Sequence, residues 1–216
     1  LCVLLVMGIK PLRFICVFIT SYVLLLLGVT AIRPLLSSYI FNYHFKTTHN
    51  LQSLDTENPC IFVSNYPSPF YNYFISYLFP KNTVFAGKNG YMWGVHLISQ
   101  EFYVLTGKDD FAEFQQFVKQ NHKNHKNVFV FVERGGGSVD KNLYTVGKLR
   151  TGIFTIAKNL GIPIVPVAIG VIDNTMGIPD KYTHRITAGE PTIVEDVETT
   201  ITDVSKFLNK NIRFKL

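Results

Sequence analysis

At 216 residues the chain has room for one domain of ordinary size and something extra. It is apolar and aromatic-rich, with 18 Phe and 11 Tyr, and its formal charge of +6 favours anionic partners: a membrane surface, phosphorylated lipids or coenzymes. Nucleic acid is set aside because no basic run or binding motif appears, and three scattered cysteines (Cys2, Cys16, Cys60) exclude a disulfide framework or a zinc spacing. The chain opens at Leu1, as a piece of a longer protein would. Residues 14–32 carry no charge and include LLLL at 24–27. At about 19 residues this stretch is long enough to cross a bilayer as a helix. Lys10 and Arg13 precede it and Arg33-Pro34 close it. A signal peptide fits less well, since the apolar core is long and no small-residue cleavage site follows; a buried helix of a soluble core is the other reading. The sequence therefore predicts a membrane anchor over 1–36, with basic flanks at both ends that leave its orientation open. Residues 37–58 are polar and mixed and read as an approach segment to an α/β domain over 59–216. The lack of an Asn-x-Ser/Thr sequon fits a cytosolic domain.

Within that domain, residues 60–64 (CIFVS) predict a short strand broken at Asn65-Tyr66-Pro67. Ser68-Pro69 looks like an N-cap with proline in the first helical position, opening a helix that stops near Pro80. Residues 83–86 and 102–105 read as strands, with a short helix over 90–100 between them that carries Trp93 and His96. Residues 109–121 form an amphipathic helix with Phe111, Phe114 and Phe117-Val118 on one stripe. A helix over 148–160 follows, with Ile153, Ile156, Ala157 and Leu160 inward and Gly161 ending it. Residues 163–169 (PIVPVAI) are a buried strand and 182–188 an edge strand. Asp203 is the expected cap of a last helix reaching about Phe214. Strands alternating with helices predict a mainly parallel or mixed sheet flanked by helices.

The stretch 127–138, NVFVFVERGGGS, is the most informative. Its unbroken run Val128–Val132 suits a strand buried on both faces. The run ends in Glu133 and Arg134, and then in Gly135, Gly136 and Gly137, where bare backbone can approach a ligand. A carboxylate, a guanidinium and free N–H groups at the C-terminal end of a buried strand are what a ligand site in an α/β sheet needs. A strand with a flexible turn is the plainer reading. A nucleotide-binding phosphotransferase fails, because Gly147-Lys148 is followed by Leu149 and no phosphate-loop motif exists.

Four pieces then line up in order: Asn65-Tyr66 after a strand, Phe131-Val132-Glu133 closing another, a helix bearing Lys148, Arg150 and Gly152 that leads to GIPIVPV at 161–167, and Ala188-Gly189-Glu190-Pro191. Together they resemble the glycerolipid (lysophospholipid) acyltransferase family over roughly residues 59–208. The resemblance implies transfer of a fatty acyl group from acyl-CoA to a lysophospholipid or glycerol phosphate at a membrane, the endoplasmic reticulum in a eukaryote. It implies no bound cofactor or metal. In that family an Asn-His-x-x-x-x-Asp motif supplies a histidine base oriented by an aspartate; Tyr66 and Tyr71 stand at those two positions here. A Phe-Pro-Glu-Gly-Thr-Arg-Ser motif binds the acceptor's phosphate; Phe131, Val132 and Glu133 follow it in part, Arg134, Gly135 and Gly136 stand where its Gly, Thr and Arg would come, so that the positive charge sits two positions early, and Lys148 and Arg150 are further sources of positive charge. Histidine is suited to the base role by its near-neutral pKa, whereas tyrosine titrates near ~10. His96, His44 and His49 are alternative bases; His122 and His125, in a polar Lys/Asn-rich stretch, lack further metal ligands. Two function classes stay open: a membrane-bound acyltransferase, and a non-catalytic relative that binds lipid or acyl-CoA or serves as a scaffold.

Overall fold

β-Branched and aromatic runs this short become strands when neighbours on both sides can bury them. The computed structural model describes residues 19–20, 45–49, 58–66, 79, 82–87, 102–104, 111–133, 145–171 and 184–212. Within these, apart from the helical pair 19–20, the order is β1 (Phe45–His49), β2 (Ile61–Ser64), β3 (Thr83–Gly87), β4 (Phe102–Val104), α1 (Phe111–Lys123), β5 (Asn127–Phe131), α2 (Gly152–Leu160), β6 (Ile164–Val171), β7 (His184–Ala188) and α3 (Val197–Asn211). The seven strands form one sheet in the order β1-β7-β6-β2-β5-β3-β4. Only the β6–β7 pairing is antiparallel among them, so the sheet is mixed. β2 lies at its centre, in register with β5 (Ile61 opposite Val128) on one side and β6 (Ile61 opposite Ile164) on the other.

The period-two alternation of strand side chains gives the sheet two different faces. Ile61, Val63, Ala86, Val128, Val130, Val132, Ile164 and Ala168 share one core with Phe114 and Val118 of α1, with Ile153, Phe154, Ile156 and Ala157 of α2, and with Val204 and Leu208 of α3. The other face is aromatic. Phe62, Phe85 and Phe129 are buried there, and the Phe79 ring lies 4.8 Å from those of Phe62 and Phe129.

Several elements depart from the sequence-based expectation. The approach segment contains β1, which pairs in parallel with β7, so β7 is an inner strand and β1 the edge. The sequence FKTTH has no apolar run, which is why it did not read as a strand. The helix expected from Lys148 starts at Gly152, because the residues before it extend alongside the end of β5: Leu149 bridges Glu133, and Arg150 N–H donates to Val132 O at 2.7 Å. The last helix starts seven residues before Asp203, counting from its cap Asp196, whose carboxylate accepts the Thr199 N–H at 2.8 Å. Asp203 sits inside that helix, paired with Lys206 on its surface. Phe111 leaves the expected stripe of α1 and is 43% exposed. The predicted span 14–32 lies outside the described residues apart from Ile19 and Thr20; among the described residues no helix is long and apolar enough to cross a membrane.

Candidate functional site

β2 and β5 run side by side in parallel, so they deliver the residues after them to the same edge of the sheet. Ser64 lies opposite Phe131, and the Val132 N–H carries the pairing one step further by donating to Ser64 O at 2.9 Å. Asn65 and Tyr66 therefore stand beside Val132 and Glu133. This is the C-terminal edge, where open α/β sheets bind ligands.

Asn65 is buried and faces β6. Its Nδ2 donates to Ile169 O at 3.0 Å and its Oδ1 accepts the Ile169 N–H at 2.8 Å. One side-chain amide thus continues the β2–β6 ladder after the strand has ended. Tyr66 is 4% exposed, with its ring edge-on to Phe131 at 4.8 Å between centroids. Phe131 is half-buried and also meets Phe129 edge-on at 4.9 Å.

Glu133 is a buried carboxylate whose two oxygens accept from two backbone donors. Oε2 accepts the Tyr66 N–H at 2.6 Å, and Oε1 accepts the Gly147 N–H at 2.8 Å. Burial pushes the Glu133 carboxyl above its ordinary value of 4.5, and the two N–H bonds pull it back in part. Next to Gly147, Lys148 is exposed, Leu149 is buried in the core and Arg150 is half-buried. The alternation follows from the extended conformation of this segment beside β5 and leaves two cations at the edge.

The structure thus brings together Tyr66, Phe131, Glu133, Lys148 and Arg150. Tyr71, Arg134, Gly135, Gly136, His44 and His96 lie outside the described residues. His49 belongs to β1, while His122 in the last turn of α1 and His125 between α1 and the start of β5 lie at the opposite edge of the sheet. Among the described residues no group of three or more His, Cys, Asp or Glu is placed to hold a metal ion. Two contributions were not legible in the sequence. Gly147 supplies the second donor to Glu133, and nothing in its neighbourhood signals that. Asn65 was visible as a polar residue closing an apolar run, but its partner on β6 was not.

The acyltransferase family profile matches residues 46–170. Among solved structures, the crystal structure of the 1-acyl-sn-glycerophosphate (LPA) acyltransferase PlsC from Thermotoga maritima is similar over 93% of this chain and 95% of that one, with a TM-score of 0.62 and 16% identity. At that identity the likeness is one of fold. No curated protein matches.

Proposed function

The chain belongs to the acyltransferase family, and on that premise we propose that the C-terminal edge of its sheet is a glycerolipid site, taking a lysophospholipid or glycerol phosphate and an acyl-CoA. The reaction would be attack of the acceptor hydroxyl on the thioester carbonyl, forming the ester while the C–S bond breaks and the CoA thiol leaves with the proton. The observation that carries this reading is the convergence of the two signature segments: the residues after β2 and those after β5 meet through Glu133, with Lys148 and Arg150 beside them. Two cations beside the ends of adjacent strands suit a phosphate monoester. Residues 14–32 would hold this site against a membrane, where a lysophospholipid acceptor resides.

Tyr66 is the weak point for turnover. An unperturbed tyrosine is only about a thousandth phenolate at pH 7. Replacing a general base near neutral pKa typically costs roughly 10²–10⁴ in rate. A second reading, binding without turnover, is favoured by one specific observation: the Tyr66 ring is packed edge-on against Phe131 and is 4% exposed.

The test is an acyl-transfer assay on the purified full chain with oleoyl-CoA and a panel of lysolipids, alongside direct binding of lysophosphatidate. Slow turnover above background, weakened by Lys148→Ala, supports transfer. Binding without turnover, with activity appearing in Tyr66→His combined with Tyr71→Asp, supports the second reading. Neither binding nor turnover would refute both. Robust turnover that survives Tyr66→Phe would move the base elsewhere, with His96→Ala the next variant to measure.

A further inference from the structure

We propose that Glu133 is a positioning residue, which locks the main chain at position 66 to the cationic segment at 147–150, and that it does not itself touch the acceptor. The inference rests on the glycerolipid reading of this edge and specifies how that site is held. Each Glu133 oxygen is engaged by a fixed backbone donor, Tyr66 N–H on one and Gly147 N–H on the other. With both oxygens accepting main-chain N–H bonds, the side chain turns no donor toward a phosphate, so it is a poor direct ligand for one. It is a good acceptor for two main-chain N–H groups, one at buried Tyr66 and one at exposed Gly147.

The segment that carries the cations is fixed at three points. Gly147 N–H is held by Glu133, the Leu149 side chain is sunk in the core at 3% exposure, and Arg150 N–H is held by Val132 O. Lys148 lies between the first and second of these points. Releasing the Glu133 bond loosens Lys148 on its N-terminal side, where the nearest remaining tie is Val146 N–H to Asn209 Oδ1, and leaves the Arg150 bond intact. The same release removes the Glu133 bond from the Tyr66 N–H, so one side chain couples the base position to the cation position.

Amide hydrogen exchange in the unliganded full chain tests the first half directly. In Glu133→Gln the side-chain NH₂ faces one of the two donors. Exchange at Tyr66 or Gly147 should accelerate about ten-fold or more, while amides within β3 and β6 keep their wild-type protection. Unchanged protection at both amides overturns the proposal, whatever the ligand data show. The second half is read by lysophosphatidate binding. Glu133→Gln should weaken it about ten-fold, and adding Glu133→Gln to Lys148→Ala should cost little more than Lys148→Ala alone. Fully additive losses would mean that Glu133 meets the ligand independently and would overturn the positioning role. Gly147→Pro removes the same bond from the other partner and should reproduce the loss if Glu133 variants fold poorly. A wild-type chain that protects both amides but binds neither the lysolipids of the panel nor glycerol phosphate would refute the glycerolipid reading and, with it, a positioning role toward a ligand. That result is distinct from the loss of protection that tests the staple itself.

Discussion

Asn65 and Glu133 are buried polar side chains whose value lies in the main-chain groups they satisfy. Asn65→Ala would leave the Ile169 N–H and C=O unpaired in the interior, and a loss of about 2–4 kcal/mol is expected in urea unfolding. Asn65→Asp should cost a comparable amount, because it keeps the acceptor but sets a carboxylate oxygen against Ile169 O. Glu133 adds a pH signature. Burial raises its carboxyl in the folded chain, so the native state holds the proton to higher pH than the unfolded chain does. Its contribution to stability is therefore full below the unfolded value near 4.5 and falls as the pH rises through the raised native value. The stability of wild type minus that of Glu133→Gln, measured by denaturation across this window, should decline as the pH rises; a flat or rising difference would contradict the assignment. The residue types at 65 and 133 were legible in the sequence because a polar group closing an apolar strand is conspicuous. Their partners were not, since Ile169 lies 104 residues from Asn65 and only the strand order brings them together.

Among the elements, the strands that belong to the buried middle of the sheet were readable from their apolar runs, and their ends fall within a few residues of expectation. What was missed has a common cause. β1 is polar and gains its place by pairing with β7, and the segment before α2 is extended because it pairs with the end of β5; neither pairing has a local signal. The stop of α2 is local and was read correctly. Gly161 sits at φ 63° and its N–H bonds to Lys158 O, a geometry that disfavours side chains. Gly161→Ala should cost about 1 kcal/mol in thermal or chemical unfolding without altering ligand binding. Gly189 is constrained differently. A Cβ there would meet Pro166 Cγ at 2.8 Å and the Phe207 ring at 3.1 Å, wedging α3 away from β6. Gly189→Ala is expected to destabilise by about 1–3 kcal/mol, an overpacking penalty, and Phe207→Leu should relieve only part of it because the proline ring stays.

At the scale of the whole molecule, residues 14–32 are proposed to anchor the domain. Carbonate or high-salt washing of membranes should leave the full chain in the pellet, and its release into the supernatant would contradict the anchor. The sheet order has a further consequence, in time rather than in space. The central strand β2 is made early in the chain, yet its two neighbours are β5 and β6, whose first paired residues are Val128 and Ile164. Until residue 164 has left the ribosome, the IFVS strand cannot be sealed on both sides, and it waits as an open apolar edge of the kind that recruits other chains. Pairings this distant in sequence also close large loops before they yield any contact, which slows folding. Chains released before β6 should accordingly aggregate or be held by chaperones, and the complete domain should refold from urea on the slow side for its size.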